Sequence, residues 1–203
     1  MNFLAHVRVA LDAGADELVV LGAILPDVES LVGETLSAEP RAHPDIERGI
    51  AIHKATDAAF HADTRFVNAS IALTKALREQ GLGRGASRAV GHAGWELLLD
   101  GLLIDDATVT TAFAAASEAL RARSEPGQRL HWFADRQRTA PIWFGYVDAT
   151  EIALRLHRQL EHRPLLAFPA SDLELVATQL AATADEVRDI GPQLLSDVSA
   201  AVR

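Results

Sequence analysis

At 203 residues the chain suits one domain, with a core large enough to stand without disulfides or other staples. Its 28 acidic and 19 basic residues leave a formal net charge of -9, which argues against non-specific binding to nucleic acid or to an anionic membrane. Cysteine is absent and no apolar run reaches membrane-spanning length, so disulfides, thiolate metal sites and a transmembrane anchor are excluded.

Residues 1–13 read as a short helix with Phe3, Leu4, Val7 and Leu11 on the apolar face and His6 close beside it. Asp16 is placed to cap a second helix carrying Leu18, Val19, Leu21, Ile24 and Leu25, which Pro26-Asp27 should end or bend. From there Asp27 can turn its carboxylate into a cleft. Residues 33–44 have the composition of a connecting loop, and Asp45 is the expected cap of the next helix. Residues 62–81 form a further amphipathic helix, with Phe66, Ile71, Leu73 and Leu77 expected in the core. Gly81 to Gly85 lacks the spacing and flanking strand of a phosphate-binding loop and reads as a turn.

Residues 88–104 predict a central helix, because leucines at 97, 98, 99, 102 and 103 cover much of its circumference. Gly91 and Gly94 would let another backbone come near. Helices follow over about 108–123 and from Leu130 to a break at Pro141, then a long one over 142–162 ending at Arg163-Pro164. The apolar loop Leu165 to Pro169 should pack down. Ser171 and Glu174 have capping-box spacing, and the last helix runs towards Val202 with an interruption near Gly191-Pro192. No segment sustains period-two alternation, and no repeat or long linker divides the chain. The expectation is one all-α, single-domain helical bundle, and the lack of a secretory signal pattern makes the cytoplasm the default location.

Two rows of side chains carry the chemistry. His53, Asp57 and His61 follow one another at four-residue spacing, so on a helix they line one face with neighbours roughly 5–6 Å apart. His92, Glu96 and Asp100 repeat the pattern. Imidazoles beside carboxylates are the right ligand types for zinc, manganese or iron. One such row is also what a solvated helix face looks like, but two in apolar, Ala-rich surroundings favour a joint site. The expected metal cage is His6, Asp27, His53, Asp57, His61, His92 and Glu96. These are more ligands than one ion needs, so either two metals bind or some, Asp57 and Glu96 first, act as general base. Asp100 can hold a ligating histidine in one tautomer, or be a cap or surface residue. Trp95 belongs to the core, and His43, His131, Asp135, His157 and His162 receive no role.

The opening Met1-Asn-Phe-Leu-Ala-His6 resembles the start of the bacterial acyl-carrier-protein phosphodiesterase family. So do the Gly22 to Asp27 segment and Gly49-Ile50 with His53 and Asp57. Weaker similarity runs through Trp143, Tyr146 and Arg163-Pro164. The resemblance implies an all-α fold related to the HD phosphohydrolases. It also implies hydrolysis of the phosphodiester that joins 4'-phosphopantetheine to acyl carrier protein, with manganese as the usual metal. Three positions depart from the family: His61 stands for a carboxylate, Ala55 for a basic residue, and His92 with Glu96-Leu97 for an Asp-x-x-x-Asp-His motif. Under this reading Lys54, Arg65 and Arg88 are candidates for holding phosphate oxygens. Arg84 with Arg88, or Arg121 with Arg123 and Arg129, could meet an acidic carrier protein. A smaller phosphorylated substrate, a helical iron protein with oxygen chemistry, and a binding paralogue without catalysis stay open, as does a homodimer.

Overall fold

The computed structural model describes residues 2–203, so Met1 of the opening motif lies outside the described residues. Every regular element there is helical: α1 (Phe3–Asp12), α2 (Glu17–Val32), α3 (Ala38–Arg41), α4 (Pro44–Ala62), α5 (Thr64–Glu79), α6 (Arg84–Gly101), α7 (Ala107–Arg123), α8 (Arg129–Gln137), α9 (Ala149–Leu160) and α10 (Leu173–Val202). Short 3-10 turns cover Ile142–Tyr146 and Ala170–Asp172. The all-α expectation holds, and no described helix is long and apolar enough to cross a membrane.

The chain forms two compact units. Unit 1 comprises Met1–Phe60, Leu103–Ile142 and Leu195–Arg203, and unit 2 comprises His61–Leu102 and Trp143–Leu194.

In unit 1, α1 packs on α2 and α7, and α7 packs on α8. The core is built on Phe3, whose ring meets Phe113 edge-on at 6.0 Å and Phe133 at 6.1 Å. Asp16 caps α2 by accepting from Val19 N at 3.1 Å, as its sequence position suggests. Asp106 caps α7 through Thr108 N and Val109 N. Unit 2 is built on α6, which packs on α5 and α9. Trp95 of α6 is fully buried and meets Phe66 of α5 at 5.4 Å. Gly91 lets the α5 backbone at Ser70 and Thr74 come near, as expected, whereas Gly94 makes room for the Leu180 side chain and not for a backbone.

Several expectations are corrected. Pro26 neither ends α2 nor leaves Asp27 in a turn: the helix runs to Val32. The apolar stripe Leu21, Ile24, Leu25, Val28 continues past the proline and is buried throughout, which outweighs the one backbone bond that proline cannot donate. Gly191-Pro192 likewise lies inside an unbroken α10, with Val187, Leu194, Leu195 and Val198 buried on both sides of it. Asp45 is in the first turn of α4 and not its cap. Pro44 opens the helix with its fixed φ, and His43 precedes it, its carbonyl accepting from Glu47 N at 3.0 Å.

The long helix expected over 142–162 is two elements. Asp148 accepts from Thr150 N and Glu151 N at 2.8 and 2.9 Å, and that cap starts α9 afresh. Ser171 hydrogen-bonds Asp172, and a 3-10 turn occupies the position of the expected capping box. Ile71 is 60% exposed although its spacing points inwards, and in the loop after α9 Phe168 is buried while Leu165 stays out.

Candidate metal centres

Six of the seven candidate ligands resolve into two groups, one in each unit, and Asp57 borders the first. In unit 1, ligand atoms of His6, Asp27 and His53 lie within 4.8 Å of one another. In unit 2, His61, His92 and Glu96 do the same.

The unit 1 group is positioned by a close crossing of α2 and α4. A side chain on Gly22 would strike the Ile46 carbonyl and Gly49 Cα, and one on Gly49 would strike the Val19 carbonyl. Only glycine allows this approach. One residue beyond Gly22 and one turn beyond Gly49, the His53 Nδ1–H donates to the Ala23 carbonyl at 2.9 Å. That bond leaves Nε2 as the atom with a free lone pair, 3.4 Å from Asp57 Oδ2. Asp57 is one further turn along α4, and Asp27 one further turn along α2. The helical row read from the sequence thus exists for His53 and Asp57.

His6 closes the group from α1. Its ring stacks on that of His53 at 4.1 Å between centroids and is completely buried. Nε2 lies 3.3 Å from Asp57 Oδ1 and 3.6 Å from Asp27 Oδ2, yet neither ring nitrogen makes a hydrogen bond of good geometry. A buried imidazole so placed among two carboxylates is what a metal ligand needs and what a core histidine avoids. Burial pushes the His6 pKa down to about 3, its contact with Asp57 opposing, and burial lowers that of His53 against the pull of Asp57. Burial works to raise the Asp57 carboxyl, but the positive charge gathered around it, the His6 contact first, together outweighs burial and the pKa falls. Neutral imidazoles beside an ionised carboxylate are the protonation states in which these residues bind a cation. The donor set fits zinc, manganese or iron.

The unit 2 group is more open. Glu96 Oε1 sits 3.1 Å from Nε2 of both His61 and His92, and the two rings are 5.0 Å apart against Phe66. Burial works to raise the Glu96 carboxyl, and its bonds to the two histidines help to hold it well below the ordinary carboxylate value. Both histidines are more than a third exposed, so an ion from solvent can reach them. Two imidazoles and one carboxylate with an open face are a ligand set used for iron and zinc.

The remaining candidates distribute as follows. Asp100 is fully buried one turn beyond Glu96, not at the surface. Lys54 is exposed and lines a shallow depression with Arg41, Glu47 and Ile50, on a stripe of α4 other than that of Gly49, His53 and Asp57. Arg65 is engaged by Asp63 at 2.6 Å, the residue that caps α5. Arg88 lies one turn before His92 and lines a cavity with it. Each of the basic trio has a partner within the chain: Arg121 pairs with Glu118, Arg123 donates to the Ala119 carbonyl and Arg129 to the Val32 carbonyl. His131 and His157 bond backbone carbonyls and have structural roles. The Ala23 carbonyl that anchors His53 has no signature in the sequence, since any residue supplies a carbonyl. Arg163, whose sequence position marks only a helix end, lines the Arg88 cavity. Comparison with known proteins finds no matching family, no matching curated protein and no matching solved structure.

Proposed function

We propose that the chain is a metal-dependent phosphodiester hydrolase acting at the unit 1 group, with an HD-like helical scaffold similar to that of acyl-carrier-protein phosphodiesterases. The observation that carries this reading is the buried His6 ring, held without hydrogen bonds between Asp27 and Asp57 and stacked on His53. His6, Asp27 and His53 would hold a divalent ion, manganese by resemblance. When bound, such an ion neutralises phosphoryl oxygens and brings the pKa of a water towards neutrality. The protein's share is orientation. The Ala23 carbonyl fixes the His53 tautomer. Asp57 is one-third exposed and stays ionised, so it accepts a hydrogen bond from the attacking water. With so low a pKa it aligns that water more than it stores a proton.

A small phosphorylated substrate fits better than carrier protein. The chain is acidic overall, and Arg121, Arg123 and Arg129 already have partners within the chain. A second reading, iron-dependent oxygen chemistry, is favoured by the two-histidine, one-carboxylate set of unit 2. The test is turnover of bis(4-nitrophenyl) phosphate, and release of 4'-phosphopantetheine from carrier protein, with manganese, zinc or iron added under argon. Anaerobic hydrolysis lost in His53→Ala supports the proposal. Turnover that needs dioxygen, or none with any metal, sinks it.

A further inference from the structure

Unit 2 contains an open cavity of about 800 Å³, within the range of small-molecule sites. Its wall includes Ile71, Thr74, Arg88, His92, Arg163 and Leu166, and no Asp or Glu lines it. That is notable in a chain with nine more acidic than basic residues, 28 against 19. No carboxylate among the described residues pairs with either guanidinium, and the one near the wall, Glu96, is bonded to His92, so the charge of Arg88 and Arg163 is left for a ligand. Arg88 stands on α6 one turn before His92. The start of α6 touches the segment after α9 at Gly85, where any side chain would strike the Leu165 carbonyl. That close approach brings the Arg163 segment to the Arg88 end of α6. Ile71, exposed although its helical position points to the core, supplies an apolar floor with Leu160 and Leu166.

We infer that this cavity binds a small organic phosphate, its phosphoryl oxygens held between Arg88 and Arg163 and its apolar part lying on Ile71, Leu160 and Leu166. Two guanidiniums from different segments, with the Thr74 hydroxyl between the helices, suit a dianion with three terminal oxygens better than a planar carboxylate. The inference concerns unit 2 alone and does not rest on hydrolysis at the unit 1 group.

The test is calorimetric titration of the full chain with phenyl phosphate, inorganic phosphate and benzoate. Both arginines are exposed, so their replacement leaves the fold intact. Phenyl phosphate should bind, each of Arg88→Gln and Arg163→Gln should weaken it roughly tenfold, and the double variant should abolish it. Ile71→Ser should weaken phenyl phosphate but not inorganic phosphate. His53→Ala, which should lose metal and hydrolysis, should bind phenyl phosphate like the wild type, and this separates the cavity from the hydrolase reading. The inference is overturned if phenyl phosphate does not bind, if the double variant binds it like the wild type, or if benzoate binds as tightly.

Discussion

The His53 ring donates from Nδ1 to the Ala23 carbonyl, and its other nitrogen faces Asp57 across 3.4 Å. The backbone of one helix therefore sets the metal-binding atom of another. Each ligand group has three donor atoms within 4.8 Å of one another, so each should hold its own ion. Elemental analysis after loading should find two metals in the wild type and one in either His53→Ala or His92→Ala. Loss of both ions from a single replacement would show one shared site.

The same helix pair yields a second prediction. Gly22→Ala and Gly49→Ala each press a methyl group onto backbone, which cannot move aside as a flexible side chain can. Each should cost about 3 kcal/mol or more in urea unfolding, the upper end of overpacking effects. Any folded protein should also lose unit 1 metal affinity, since the helices part at the Ala23–His53 bond. Gly14→Ala is the control: its φ of 72° strains a side chain, but nothing lies within 4 Å. It should cost only about 1 kcal/mol and leave metal binding unchanged.

Period 3.6 locates the helices, and four-residue spacing puts His53 with Asp57 and His92 with Glu96 on common faces. Spacing along one helix says nothing of what faces it. The stacking of His6 on His53 comes from α1, and the division of the ligands between two units from tertiary packing. Pro26 and Pro192 misled because a proline's local cost of one bond was weighed without the apolar burial on either side. Ile71 misled for the opposite reason, its outward face bordering a cavity that no local pattern encodes.

Acid should weaken the metal-free protein in a defined window. The His6 pKa falls from 6.5 unfolded to about 3 folded, so between those values the unfolded chain binds more protons. Stability therefore rises with pH through this range, is complete above about 6.5 and is lost as pH falls towards 3. One proton corresponds to a slope of up to about 1.4 kcal/mol per pH unit. His53 shifts in the same direction and adds to it. Asp57, depressed from 3.8, contributes at lower pH and with the same sign. Urea unfolding at pH 7, 6 and 5 should show the decline, and His6→Asn should flatten it without abolishing it. An unchanged slope in that variant would place the acid sensitivity elsewhere.

Asp57 separates holding a metal from using it. Replacement by asparagine keeps an oxygen within reach of His6 and His53 but removes the charge that aligns a water. If His6, Asp27 and His53 are the ligands, Asp57→Asn should retain metal in elemental analysis while hydrolysis falls by about 100-fold or more. His53→Ala should lose metal and hydrolysis together. The pH profile adds a readout that a structural role would not move. An aligning carboxylate with so low a pKa stays ionised across the working range, so the wild-type acid limb should not reflect Asp57. An Asp57→Asn variant that hydrolyses phosphodiesters at the wild-type rate would remove Asp57 from the chemistry and leave it a neighbour of the ligands.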